Sequence, residues 1–298
     1  MNLLSRFLSS LIIFCVLFGY EAMCQDTQSD ADLLLDSETD YATASFKTNR
    51  VINLHSLENT AGGVLDFKIS HRFGTIDQGF YDLFGIDAAT QRIGLDYGIT
   101  DRFCVGFNRN SVDKAYDGFI KYKLLKQSKG KVNMPVTLAL LTSAAVKTIK
   151  FTDPRYSKAT RLAYCNQLII GRKFSDWLSL ELVPTHVRRN VVLTDQEKFD
   201  VFACGIGGRL RLTRRLALTG EYIYVLPDQL APDYKNSLSV GIDIETGGHV
   251  FQLHFTNSTS MSEYGFVTET TGKWTDSGIR FGFNVSRVFT LVNRKDKN

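Results

Sequence analysis

The sequence predicts an all-β protein: an antiparallel transmembrane β-barrel of about 12 strands, with short periplasmic turns and longer outer loops. Three observations carry that expectation. Apolar and polar residues alternate along most of the chain, as in Ile93-Gly94-Leu95-Asp96-Tyr97, the pattern of a strand between a fatty and a wet face. No apolar run is long enough for a membrane helix, which needs about 18 residues or more. The stretches between strand-like segments alternate long and short, as the two ends of a membrane barrel require.

The first 24 residues read as a signal peptide. Arg6 supplies a positive start, Phe7 to Phe18 an apolar run, and Ala22-Met23-Cys24 a cleavage site before Gln25. That run is too short to span a bilayer as a helix. Glu21 and Met23 do not suit a lipidated Cys24. The mature protein is therefore expected in the cell outer membrane, after secretion.

Residues 25–62 are less periodic than the rest. Asp30 to Leu35 reads as a short helical turn and Phe46 to Leu54 as an extra extended segment. Two readings stay open for this stretch: a periplasmic tail, or a plug that enters the barrel.

The wall is expected over 63–289. Its twelve strand-like segments lie near 64–73, 91–99, 103–109, 116–125, 134–146, 161–171, 177–188, 200–212, 216–226, 237–245, 250–257 and 279–289. Long polar stretches such as 74–90, 147–160 and 258–278 separate some of them and read as outer loops. Thr100-Asp101-Arg102, Thr213-Arg214-Arg215 and Thr246-Gly247-Gly248-His249 are tight turns. An even strand count puts both chain ends on the periplasmic side. The last segment alternates to a terminal aromatic, Phe289, as strands read by the outer-membrane assembly machinery do. A polar C-terminal tail, 290–298, follows it.

Several motifs resemble a known family. They are Arg50-Val51-Ile52-Asn53-Leu54-His55-Ser56-Leu57-Glu58, Gly63 to Gly74, Gly94 to Arg102, Tyr116 to Lys123 and Glu245 to Ser258. Together they resemble a family of uncharacterised outer-membrane β-barrel proteins of Gram-negative bacteria, catalogued as a domain of unknown function. The resemblance runs from about Tyr41 to Phe289. It implies a barrel and an envelope location, and no catalytic residue.

Composition narrows the function further. The chain is 44% apolar and 22% charged with a net charge of +4, which argues against nucleic acid as a partner. Cys104, Cys165 and Cys204 are widely spaced, and His55, His71, His186, His249 and His254 show no ligand spacing, so no metal or other cofactor is expected. Gly205-Ile206-Gly207-Gly208 sits in an alternating strand with no helix after it, and so is not a dinucleotide fingerprint. A pairing of His254 with Ser258 or Ser260 has no motif behind it, and an enzyme is not expected.

Inward positions carry Asp66, Lys68, Arg72, Arg92, Asp96, Asp117, Lys121, Lys123, Glu181, Arg209, Arg211, Glu221, Asp243, Glu245 and Arg280. His254 shares that face. Eight basic groups stand against seven acidic ones, a balance that favours a narrow or occluded lumen over an open, ion-selective pore. The expected role is passage or recognition of a small solute. The alternative is a non-transport barrel that anchors or partners another envelope protein, with a barrel lipid hydrolase less favoured.

Overall fold

The computed structural model describes residues 38–292. The signal peptide, the helical turn expected at Asp30 to Leu35 and residues 293–298 of the tail lie outside them. Residues 40–129 and 133–292 build the barrel and its contents, while Glu38, Thr39 and Gly130–Val132 cluster separately.

Among the described residues, twelve antiparallel strands close into one barrel, each paired with its neighbours in sequence. They are β1 (Val64–Thr75), β2 (Thr90–Gly98), β3 (Phe103–Asn110), β4 (Tyr116–Leu125), β5 (Thr137–Val146) and β6 (Leu162–Lys173), then β7 (Leu178–Arg189), β8 (Asp200–Arg211), β9 (Leu216–Val225), β10 (Ser237–Thr246), β11 (His249–Thr256) and β12 (Arg280–Thr290). β12 closes on β1 through pairs such as Val285 with Ile69 and Phe289 with Leu65. Closure leaves no free strand edge, so backbone groups at membrane depth are satisfied within the wall. The wall runs one residue past the expected end, to Thr290.

Alternation becomes a two-faced wall. In β2, Arg92 and Asp96 are buried while Ile93 and Leu95 face out, Leu95 at 44% exposure. Outward Leu95 stands opposite Phe107, and Ile206 opposite Tyr222, cross-strand apolar pairs on the lipid side. Three tight turns share one device. Thr100, Ser175 and Thr213 each accept, through the side-chain hydroxyl, backbone N–H groups two and three residues ahead.

The inner face is unequal around the ring. On β5–β9, Leu141, Ile169, Val183, Val187, Val201 and Ile223 point inward and pack with Val51, Leu54 and Leu57. The rest of the ring presents polar groups, among them Arg72, Arg92, Asp117, Asp243, Gln252 and Asn284. Gly205 and Gly207 make room for the insert. A Cβ on Gly205 would lie 2.9 Å from Leu54 Cδ1, and one on Gly207 would lie 3.1 Å from Val51 Cγ2.

Two expectations are corrected. Phe46 to Leu54 is not an extended segment: the chain bends and reverses, with Val51 N–H donating to Leu54 O at 2.8 Å and Arg50 bridged to His55. Inside a closed wall there is no strand edge left to join, so the segment satisfies its backbone by turning on itself and by side-chain acceptors. The 258–278 stretch is not a simple outer loop. It carries α1 (Glu263–Thr268), whose six residues are all buried and which packs on β6 and β7. Met261, Tyr264, Phe266 and Val267 explain that, since apolar side chains leave water by folding inward.

Candidate functional site

The site is the filled lumen, where residues 45–58 meet the wall from one end and α1 meets them from the other. At the short-turn end, Lys47 pairs with Glu245 and donates to Arg214 O at 2.8 Å. A cavity of about 690 Å³ lies beside this contact, bordered by Glu58, Asp66, Arg214, Arg215 and His249. Arg209 Nη1 donates to Ala44 O at 2.8 Å and to Ser45 O at 2.9 Å. Lys121 Nζ donates to Ser56 O at 2.6 Å and to Glu58 O at 2.5 Å.

Deeper in, the wall grips the segment through carboxylates. Asp96 accepts from Lys68 Nζ at 2.6 Å and from Asn49 Nδ2 at 2.9 Å, and Lys68 also donates to Asn49. Glu221 accepts the backbone N–H groups of Ile52, Asn53 and Leu54 at 3.2, 3.0 and 2.9 Å. A carboxylate facing three amides at a reversal is a charge-assisted seat.

Insert and inward loop meet at Glu263. Arg50 Nη2 donates to its Oε1 at 2.6 Å, His55 Nε2 lies 3.1 Å away, and Arg92 Nη2 of β2 lies 3.7 Å away. Burial alone would raise the Glu263 carboxyl, but Arg50, Arg92 and His55 outweigh it and hold it well below the usual range. Burial and the Arg50 charge push the His55 imidazole well below its ordinary value, so it is neutral. His55 also sits edge-on to Phe119, with ring centroids 4.4 Å apart.

Space shrinks sharply at this level. A cavity of about 20 Å³ lies among Arg50, Lys68, Arg72 and Arg92, and one of about 90 Å³ lies beyond it, toward the long loops, near Lys147, Arg161 and Tyr264. Lys147 there holds Asp113 at 2.8 Å and Glu269 at 2.5 Å.

The remaining sequence-derived positions play varied parts. Asp66 accepts from Ser286 Oγ at 2.5 Å, Arg92 pairs with Asp117 at 2.5 Å, and Asp243 accepts from Gln252 Nε2 at 3.0 Å. Lys123, Glu181 and His254 are buried, while Arg211 and Arg280 are partly so, Arg280 reaching Phe73 O at 3.2 Å. His254 does not meet the serines: Ser258 Oγ donates to Ser260 O, and the Ser260 and Ser262 hydroxyls pair. Cys104, Cys165 and Cys204 are free thiols and buried. No group of His, Cys, Asp or Glu among the described residues is arranged to hold a metal ion.

Sequence reasoning missed Arg50, Asn53, His55 and Glu263 as site residues. Arg50, Asn53 and His55 stand among Val51, Ile52, Leu54 and Leu57, and that density of apolar groups in a non-alternating stretch was the available signal. Glu263 carries no comparable mark.

No curated protein matches the chain in sequence. Among solved structures, the KdgM porin is similar with a TM-score of 0.47 at 10% identity, covering 76% of this chain and 99% of that one. The NanC porin gives 0.47 at 8% identity, over 76% of this chain and 100% of the other. An outer membrane channel from Pseudomonas putida F1 gives 0.45 at 14% identity, over 78% and 98%. A family described as a membrane bound beta barrel domain (DUF5777) matches residues 46–289. Closed barrels with an apolar outer belt sit in outer membranes, and this one does. The family match covers most of the sequence, the wall and its insert together, and the chain belongs to that family.

Proposed function

We propose that this outer-membrane barrel passes a small polar solute, and that residues 45–58 and the inward loop close it in the present state. The single observation that carries the reading is the contact of Arg50 with Glu263 at 2.6 Å. Two chain segments entering from opposite ends meet there through side chains, and neither is part of the wall. A closure of that kind can part without breaking the barrel. The mixed charges of the lumen fit a polar solute with modest ion preference. The alternating last strand, with outward Phe289 one residue before its end, fits insertion by the outer-membrane assembly machinery.

A second reading has its own support. Val51, Leu54 and Leu57 are packed against Val183, Val187 and Ile223 as a core would be, which favours a permanent plug in a non-transport barrel that anchors a partner. Single-channel current separates the two. Full-length protein, protein lacking residues 26–59 and the Glu263→Gln variant are compared under identical salt. Transport predicts brief openings for the first and larger, sustained currents for the other two. Flat traces from all three would leave the non-transport reading.

A further inference from the structure

We propose that the centre of the lumen binds a monatomic anion, chloride being the abundant one, at Arg72. The small cavity there is lined by four cations, Arg50, Lys68, Arg72 and Arg92, and by no Asp or Glu. Three of the four have a carboxylate: Arg50 has Glu263 at 2.6 Å, Lys68 has Asp96 at 2.6 Å, and Arg92 has Asp117 at 2.5 Å. Arg72 has none within 4.0 Å among the described residues, although it is only 1% exposed.

Its guanidinium reaches neutral oxygens alone. Nη1 donates to His71 O at 2.8 Å and to Asn284 Oδ1 at 3.0 Å, and Nη2 donates to Asn53 Oδ1 at 2.9 Å. Arg72 Nε and Arg92 Nε are buried without a hydrogen-bond partner among the described residues. His254 lies beside Arg72 over Gly282, which pairs with both residues across the ladder. A Cβ on Gly282 would lie 2.6 Å from His254 Nε2 and 2.8 Å from Arg72 Cδ, so only glycine lets the two side chains pass. The Glu221 carboxylate acts on Arg72 only from beyond 4.0 Å, so the buried charge is partly compensated, and a bound counter-ion reduces the remaining cost.

Size selects the class of anion. About 20 Å³ holds one water-sized particle. A halide fits, and phosphate or sulfate does not. The cavity also draws on all three parts of the lumen: Arg50 and Asn53 of the insert, Arg72 and Arg92 of the wall, and Met261 of the inward loop. An ion seated among them binds only the closed arrangement and stabilises it by mass action. That consequence rests on the proposed closure, whereas the site itself does not.

Crystals of the full-length protein soaked in bromide test the site directly. The expected result is an anomalous peak within hydrogen-bond reach of the Arg72 guanidinium. A water there, with no anomalous signal, would overturn the proposal whatever the currents show. In solution, the midpoint of heat-modifiable migration should rise in chloride over gluconate at equal ionic strength, and Arg72→Gln should abolish the difference. A peak or a chloride effect that survives Arg72→Gln would overturn the assignment to Arg72. If that variant does not fold, the bromide map of the unaltered protein decides.

Discussion

Glu221 of β9 and Asn53 of the insert are joined two ways: the carboxylate accepts both the backbone N–H of Asn53, at 3.0 Å, and its side-chain Nδ2, at 2.8 Å, while Asn53 Nδ2 also reaches neighbouring Ser239 at 3.1 Å. The same carboxylate serves Ile52 and Leu54. One side chain of the wall therefore satisfies a whole reversal of the chain inside it.

Glu221→Ala should release the insert and leave the wall intact. It strips the acceptor from three buried amides, each costing about 1–3 kcal/mol when unsatisfied. Limited proteolysis of the folded protein in detergent should then cut within residues 45–58, with heat-modifiable migration retained. Protection equal to that of the unaltered protein would contradict this seat.

Acid should loosen the closure through His55. A released His55 takes a proton below its ordinary value of 6.5, while the seated one stays neutral, held down by burial and Arg50 with Lys121 adding to it. The released state then binds more protons, so seating weakens as pH falls through that value, by at most about 1.4 kcal/mol per pH unit. Glu263 works lower on the scale. Its depressed carboxyl keeps its charge in this window, and its contribution disappears only as pH falls through its low folded value. Open probability should therefore be higher at about pH 5.5 than at about pH 7.5, and His55→Gln should flatten that difference. A difference undiminished in His55→Gln would assign the effect elsewhere.

The two faces of β2 can be tested one residue apart. Leu95→Arg puts a charge on the lipid side, costing roughly 2–4 kcal/mol if it lies near the bilayer midplane. Asp96→Asn weakens the hold on Lys68 and Asn49 but leaves Asp66 Oδ2 at 3.4 Å from Lys68. The folded, fast-migrating form should be depleted for Leu95→Arg and retained for Asp96→Asn. The opposite result would mean the parity is inverted.

Labelling on intact cells tests orientation. Tyr81, 93% exposed in the β1–β2 loop, should react as Tyr81→Cys with a membrane-impermeant thiol reagent. Gly247→Cys, in the β10–β11 turn, should not. Tyr264→Cys should stay silent too, because Tyr264 is only 4% exposed although its loop joins strands at the outer end. Labelling at Gly247 and none at Tyr81 would turn the barrel over.

By itself the sequence determined the wall: about where the strands lie, which of their residues alternate between two faces, and where the tight turns fall. Alternation is a local property with period two, so Ile93-Gly94-Leu95-Asp96 announces its two faces without knowledge of anything distant. Thr137-Leu138-Ala139-Leu140-Leu141 shows where that ends. Both faces of β5 are apolar, one toward lipid and one toward the insert, and alternation has little to report. Only the tertiary structure decided what fills the lumen. Arg50 and Glu263 stand 213 residues apart and belong to no periodic segment. Their meeting depends on a closed ring that denies the insert a strand edge, and on apolar groups at both ends of the chain that leave water by folding inward.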